Sequence, residues 1–146
     1  FIERYTKFLP KEHRESYYNL NIATYYFKKK EYDKVIGLLS HVEYHDFFIQ
    51  LSAKSLLMKT YFELNEYLPF DSLVHSFKIL LQSKKVIGYH RNNYINFIKY
   101  CRKLLFREKL AKAELAKIEA EITDTKELVE KEWLLEKVQD RKRSRS

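Results

Sequence analysis

The sequence predicts an all-α protein. Apolar residues recur at helical spacing almost from end to end. The 146 residues include only two glycines, Gly37 and Gly88, and two prolines, Pro10 and Pro69. Sandwiches, barrels and doubly wound sheets need many turns marked by Gly or Pro, so this scarcity excludes them, and with them a glycine-rich phosphate cradle. The length is that of one ordinary domain, enough to bury a core. Apolar residues make up 45% and charged residues 33%, which sets the chain apart from disordered and membrane-embedded compositions. No apolar run approaches about 18 residues, so no membrane span is expected.

Each element follows from the pattern in turn. Residues 1–9 read as the end of a helix stopped by Pro10, and Pro10 suits the first turn of the next helix, where an N–H has no partner anyway. The start at Phe1 and the single methionine, Met58, predict a piece of a longer product. A helix over 11–29 carries Tyr17, Tyr18, Leu20, Ile22, Ala23, Tyr25, Tyr26 and Phe27. It is apolar on more than one side, so more than one neighbour is expected. The polar break Lys28-Lys29-Lys30-Glu31 leads to a short helix with Val35, Leu38, Leu39 and Val42 on one face, ending within 41–45. A long helix over 46–64 follows, with Asp46 as its N-cap. Beyond Asn65-Glu66-Tyr67 and Pro69, a helix carries Phe70, Leu73, Val74, Phe77 and Leu81.

The spacing then predicts a loop over 84–88 turning on Gly88. A helix over 89–105 buries Tyr94, Phe97, Ile98, Cys101, Leu104 and Leu105. Another, over 107–122, presents Ala111, Leu115, Ile118 and Ile122 on one face. Thr123 or Asp124 is the expected N-cap of a last helix carrying Leu128, Trp133, Leu134, Leu135 and Val138. Residues 141–146 contain nothing apolar and are expected to be disordered.

The net charge of +8 is local. Residues 1–82 hold 11 basic and 10 acidic groups, 83–117 hold 10 and 2, and 118–140 hold 3 and 8; Arg141, Lys142, Arg143 and Arg145 close the chain. An acidic helix therefore separates a basic segment from a basic tail. In the basic segment Asn92, Asn96, Lys99 and Lys103 share a stripe, with Arg91 and Arg102 at its edges. Arg107, Lys109, Lys112 and Lys117 continue it. Such a stripe suits phosphates or the carboxylates of an acidic peptide. A solvated, lysine-biased face accounts for it as well, since 20 lysines stand against 8 arginines. The tail reads as soluble terminal residues or as a short arm for nucleic acid or a membrane surface.

Little else points to chemistry. A single cysteine, Cys101, excludes an internal disulfide and a cysteine zinc site, and reads as a small apolar helix residue. A reducing, cytoplasmic setting is the expectation. His41 and His45 have a metal-compatible spacing, but they straddle a helix boundary with no third ligand evident, so an inter-helix turn accounts for them better. His75 and His90 are isolated. No nucleophile elbow occurs. The pairs Glu119/Glu121 and Glu130/Glu132 lie two apart on helices and do not face each other. The expectation is a protein without catalytic, cofactor or metal sites.

A repeat organises the chain. Residues 23–35 (ATYYFKKKEYDKV) and 58–70 (MKTYFELNEYLPF) align at a spacing of 35. Tyr26 pairs with Tyr61, Phe27 with Phe62, Glu31 with Glu66 and Tyr32 with Tyr67; downstream, Leu39 pairs with Val74 and Val42 with Phe77. Each unit is a long helix, a tight polar turn and a shorter helix. This layout resembles the tetratricopeptide repeat, whose period is about 34 residues. The family's small residue three before an aromatic appears as Ala23 and Tyr26, and its turn-flanking tyrosine as Tyr32 and Tyr67. Met58 departs from the small residue, Lys30 and Asn65 from the usual turn glycine, and Val35 and Phe70 from the usual alanine; the closing proline is missing. Asn65 takes the left-handed conformation readily and Lys30 less so.

The resemblance implies antiparallel hairpins stacked as a short α-solenoid over 1–140: repeat one at 11–45, repeat two at 46–84, a degenerate third at 88–122 and a capping helix at 124–140. Two similar hairpins within a non-repetitive bundle is the alternative. Glu127, Glu130, Glu132, Glu136 and Lys137 would form the cap's polar face, with Trp133 as its plug into the core. In that family the first helix of each repeat lines an inner groove. Carried over by register, this implies Tyr17, Leu20, Thr24, Phe27 and Lys28, then Ser52, Ser55, Lys59, Phe62 and Glu63, extended by Lys99 and Lys103. The expected function is a non-catalytic scaffold docking a protein or peptide segment, the lysines suiting an acidic one. The alternatives are phosphate binding to RNA or DNA through residues 91–117 and the tail, and a structural spacer or oligomer interface exposing Phe1, Ile2, Tyr5 and Phe8.

Overall fold

A computed structural model describes residues 11–40, 46–83, 88–105 and 110–144. Among them the chain forms seven helices and no strand: α1 (Lys11–Lys28), α2 (Tyr32–Leu39), α3 (Phe47–Glu63), α4 (Tyr67–Leu81), α5 (Gly88–Leu105), α6 (Lys112–Asp124) and α7 (Lys131–Arg143). The all-α expectation holds. Two compact units divide the chain, Phe1–Leu73 and Val74–Ser146. The division falls inside α4, away from every expected repeat boundary. Residues 1–9, Pro10, Val42 and the 41–45 turn lie outside the described residues.

In the first unit α1, α2 and α3 pack pairwise on one another. Their shared core is Ala23 from α1, Val35 and Leu39 from α2, and Ile49, Ala53, Leu56 and Leu57 from α3. Small Ala23 and Ala53 let the helices approach closely. α3 is buried over most of its circumference, Leu51, Met58 and Phe62 included, as a helix with neighbours on several sides must be. The hydroxyls this traps donate to carbonyls one turn back, Ser55 Oγ to Leu51 at 2.9 Å and Thr60 Oγ1 to Leu56 at 2.7 Å, so neither is left costly and unsatisfied. Asp46 caps α3 as expected, its carboxylate accepting the Ile49 N–H at 3.0 Å.

The 35-residue register reappears as backbone geometry. α1 ends where Lys30 N–H bonds to Phe27 O and Glu31 N–H to Tyr26 O; α3 ends where Asn65 N–H bonds to Phe62 O and Glu66 N–H to Tyr61 O. Both are Schellman closures, which need a left-handed residue at the same place. Lys30 supplies it at φ 63° and Asn65 at φ 54°, so Lys30 adopts the conformation its side chain makes less favourable. The next carbonyl then opens the following helix, Glu31 O to Val35 N–H and Glu66 O to Phe70 N–H. Burial repeats with the turn: Ala23, Met58, Val35 and Phe70 are all 0% exposed.

In the second unit α7 packs on both α5 and α6. Phe97, Ile98, Cys101, Leu104 and Leu105 from α5 are buried, as are Leu115, Ile118 and Ile122 from α6 and Leu134 and Val138 from α7. Trp133 meets Phe97 edge-on at 6.2 Å. Phe77 packs against Tyr94 at 5.6 Å, and burial, then the Glu130 charge, pushes the Tyr94 phenol upward. α6 and α7 run in opposite senses. Lys131 at the start of α7 donates to Thr123 O at 3.2 Å near the end of α6, whereas Gln139 and Lys142 reach Glu119 one turn earlier, Lys142 at 3.1 Å.

Five expectations about this unit are corrected. Gly88 is the first residue of α5, and residues 84–87 of the expected loop lie outside the described residues. Thr123 and Asp124 close α6, with Thr123 Oγ1 donating to Glu119 O at 2.8 Å. The last helix therefore starts only at Lys131, and left-handed Glu130 (φ 59°) stands where a side-chain cap was expected. Ala111 is exposed and precedes α6. The tail is helical to Arg143, because Lys142 gains the Glu119 carboxylate and Arg143 pairs with Asp140 at 3.6 Å. Lys137 also leaves the cap's polar face. It is buried, with its ammonium over the Trp133 ring at 5.6 Å and on Asp140 at 3.2 Å.

Candidate functional site

The groove positions fall on α1 and α3, which pack together. Tyr17, Leu20 and Phe27 are half-buried against the core cluster. Thr24 Oγ1 donates to Leu20 O at 2.8 Å, so its hydroxyl serves its own helix. Lys28 and Ser52 are exposed, and Glu63 is half-buried. Ser55 and Phe62 are 5% and 4% exposed and present no surface to an occupant. Register alone could not exclude them, since α3 is enclosed on more sides than one groove-lining helix needs to be. Phe27 and Lys59 are brought together: the ammonium lies 5.0 Å from the ring centroid.

That contact is one of three. Consecutive aromatics at the end of α1 each carry a lysine ammonium over the ring: Lys29 over Tyr25 at 4.9 Å, Lys34 over Tyr26 at 4.9 Å, and Lys59 over Phe27. Tyr25 and Tyr26 lie 5.7 Å apart, and Phe27 meets Tyr32 edge-on at 5.5 Å. Hydrogen bonding to the Tyr25 side chain, then charge interaction with it, holds the Lys29 ammonium above its ordinary value. Lys34 also pairs with Glu31 at 3.3 Å. The sequence reading passed over this cluster as a polar break. Its legible signal was the run Tyr25-Tyr26-Phe27 directly before three lysines, with Tyr25 and Lys29 at the i,i+4 spacing that stacks side chains on one helix face.

The basic stripe is divided between residues that bond to neighbouring elements and residues that stay exposed, Asn92 among the latter. Arg91 Nε donates to Leu81 O at 2.8 Å, and Asn96 Nδ2 to Glu127 O at 2.8 Å. Lys103 pairs with Glu121 at 3.3 Å and lies 5.8 Å from the Tyr100 ring centroid. The Tyr100 hydroxyl in turn hydrogen-bonds Thr125 at 3.0 Å. Three of the stripe's polar heads thus fasten α5 to its neighbours. Lys99, Arg102, Lys112 and Lys117 are exposed, whereas Arg107 and Lys109 lie outside the described residues.

His75 is exposed, His90 half-buried and Cys101 buried; His41 and His45 lie outside the described residues. Among those described, no group of three or more His, Cys, Asp or Glu is placed to hold a metal ion, and no helix is long and apolar enough to cross a membrane. The first unit thus presents aromatic rings covered by ammonium groups, and ammonium groups are able to pair with anions. No protein-family model, curated protein or solved structure matches the chain.

Proposed function

We propose that the chain is a non-catalytic, tetratricopeptide-like module that docks an acidic protein or peptide segment on the α1–α3 face of its first unit. The observation that supports this is the Lys59–Phe27 contact across two helices, with Lys28 exposed one position further on. Phe27 and Tyr17 provide apolar contact, and Lys28 and Lys59 read carboxylates, the division of labour usual in peptide grooves. The repeated turn supports the repeat assignment, because the same closure recurs 35 residues on, between Lys30 and Asn65.

The test is fluorescence anisotropy with a panel of labelled acidic peptides. Lys28→Glu with Lys59→Glu is expected to weaken the best binder at least about tenfold, since charge-assisted contacts of this kind are worth about 1.5–3 kcal/mol each. Unchanged affinity in this double variant rules out the α1–α3 face.

A further inference from the structure

A second surface lies on the other side of α1. Arg14, Tyr18, Tyr25 and Lys29 recur at spacings of four, seven and four and are all exposed, so they form one stripe facing away from buried Ala23. Tyr18 is 52% and Tyr25 53% exposed, their rings two turns apart, about 10 Å along the axis. At its C-terminal end the stripe runs into exposed Lys30 and Lys34. The geometry points to a binding surface for single-stranded nucleic acid, with bases stacked on Tyr18 and Tyr25 and phosphates held by Lys29, Lys30 and Lys34.

Three features favour this occupant. Exposed aromatic faces flanked by cations are what a flexible single strand needs, because every base has a π-face and every linkage a phosphate. An acidic peptide gains less, since the ring face carries the negative end of the quadrupole and repels a carboxylate. Stacking a base is also worth more than an exposed ammonium–ring contact. A base on Tyr25 can therefore displace Lys29 and release its ammonium to the adjoining phosphate.

Compensation of the α1 dipole accounts for a lysine at position 28 or 29 but not for the rest. Lys34 sits in the first turn of α2, the end where a cation is disfavoured, and its partner there, Glu31 at 3.3 Å, forms a solvent-exposed pair weak enough for a phosphate to displace. Lys30 holds a left-handed conformation at φ 63° that glycine would occupy without strain, and strain kept at an exposed charge marks a surface with work to do. Lysines are point charges rather than planar forks, so little sequence preference is expected.

The experiment is anisotropy of a labelled oligouridylate of about 12 nucleotides, titrated with the intact chain across a salt series. Saturable binding is expected, with log K falling against log salt at a slope of about −2, as three neutralised phosphates require. Lys29→Glu/Lys30→Glu/Lys34→Glu should abolish it. Tyr18→Leu/Tyr25→Leu should weaken it about tenfold, with far-UV circular dichroism unchanged in both. Lys59→Glu, which strikes the other face, should leave it intact, so this surface and the peptide face stand or fall separately. The inference is overturned by absence of binding at low salt, by full affinity in the tyrosine variant, by loss in Lys112→Glu/Lys117→Glu instead, or by polyglutamate binding as tightly as the oligonucleotide.

Discussion

The two Schellman turns of the first unit share one backbone and carry opposite surfaces. Lys28-Lys29-Lys30-Glu31 closes α1; Glu63-Leu64-Asn65-Glu66 closes α3. The bonds match pair for pair, although one left-handed residue is a lysine and the other an asparagine. The local conformational preference of that residue therefore does not set the turn. What the two have in common is the pair of buried anchors on either side, Ala23 with Val35 and Met58 with Phe70. Burial of the flanking helices determines where the chain must reverse, and the residue at the reversal accommodates it. This leaves the turn's outer surface at liberty to differ.

The strongest test of that account removes the anchors. Phe70→Ala empties a fully buried site and is expected to cost about 3–5 kcal/mol; Met58→Ala is expected to cost about 2–5 kcal/mol. Ala23→Met, which writes the second turn's anchor into the first, overpacks the junction of three helices, at about 1–3 kcal/mol. Urea unfolding midpoints would give all three. If Met58→Ala and Ala23→Met both proved neutral, the two turns would not be held by their anchors.

A smaller effect separates the turn residues themselves. Lys30→Gly relieves the left-handed strain at φ 63° but adds freedom to the unfolded chain, and the balance is a gain of about 0.5–1 kcal/mol. Asn65→Gly should change stability by about 0.3 kcal/mol or less, because asparagine tolerates this conformation. Equal responses at the two positions would mean that Lys30 carries no strain. The same Lys30→Gly protein also loses one ammonium from the outer surface of α1, so a gain in stability with a loss of oligonucleotide affinity would tie the strain to that surface.

The contrast also explains what could be read from the sequence. The all-α class, the Asp46 cap and the hairpin turns were legible because each rests on local spacing. The end of α6 was not: Thr123 and Asp124 look like caps, yet their hydroxyl and backbone bond backwards into the helix they end. The helical tail depends on Glu119, more than twenty residues upstream of Lys142, a contact no local pattern announces. The groove was legible in part. Register brought Phe27 and Lys59 together, but it placed Ser55 and Phe62 there too, because a heptad-like spacing does not tell how many neighbours a helix has. The lysine–aromatic cluster was missed because each member looked ordinary alone, and Lys34 and Lys59 reach it only through the fold.

The smallest expected effect concerns two lysines of the first unit whose environments oppose each other. Lys54, half-buried on α3, has its ammonium held below the ordinary value of 10.5 by burial, whereas contact with Tyr25 raises that of Lys29. Between the lowered value and 10.5 the unfolded chain binds more protons at Lys54 than the folded one does. Lys54 therefore destabilises the fold at neutral pH, and the penalty lifts as pH rises through that window. Lys29 acts with the opposite sign: its contribution is present below 10.5 and is lost as pH rises through its raised folded value. The sum over the wild-type chain hides both, and Tyr94, whose contribution also fades above its ordinary value of 10.0, adds to the loss. Differences isolate them. Lys54→Met should raise the unfolding midpoint at pH 7, with an advantage that shrinks as pH approaches 10.5. Lys29→Met should lower it slightly at pH 7 and converge on wild type only at higher pH. If both variants tracked wild type in parallel across the range, the packing of α3 around Lys54 and the Tyr25–Lys29 contact would have no energetic consequence.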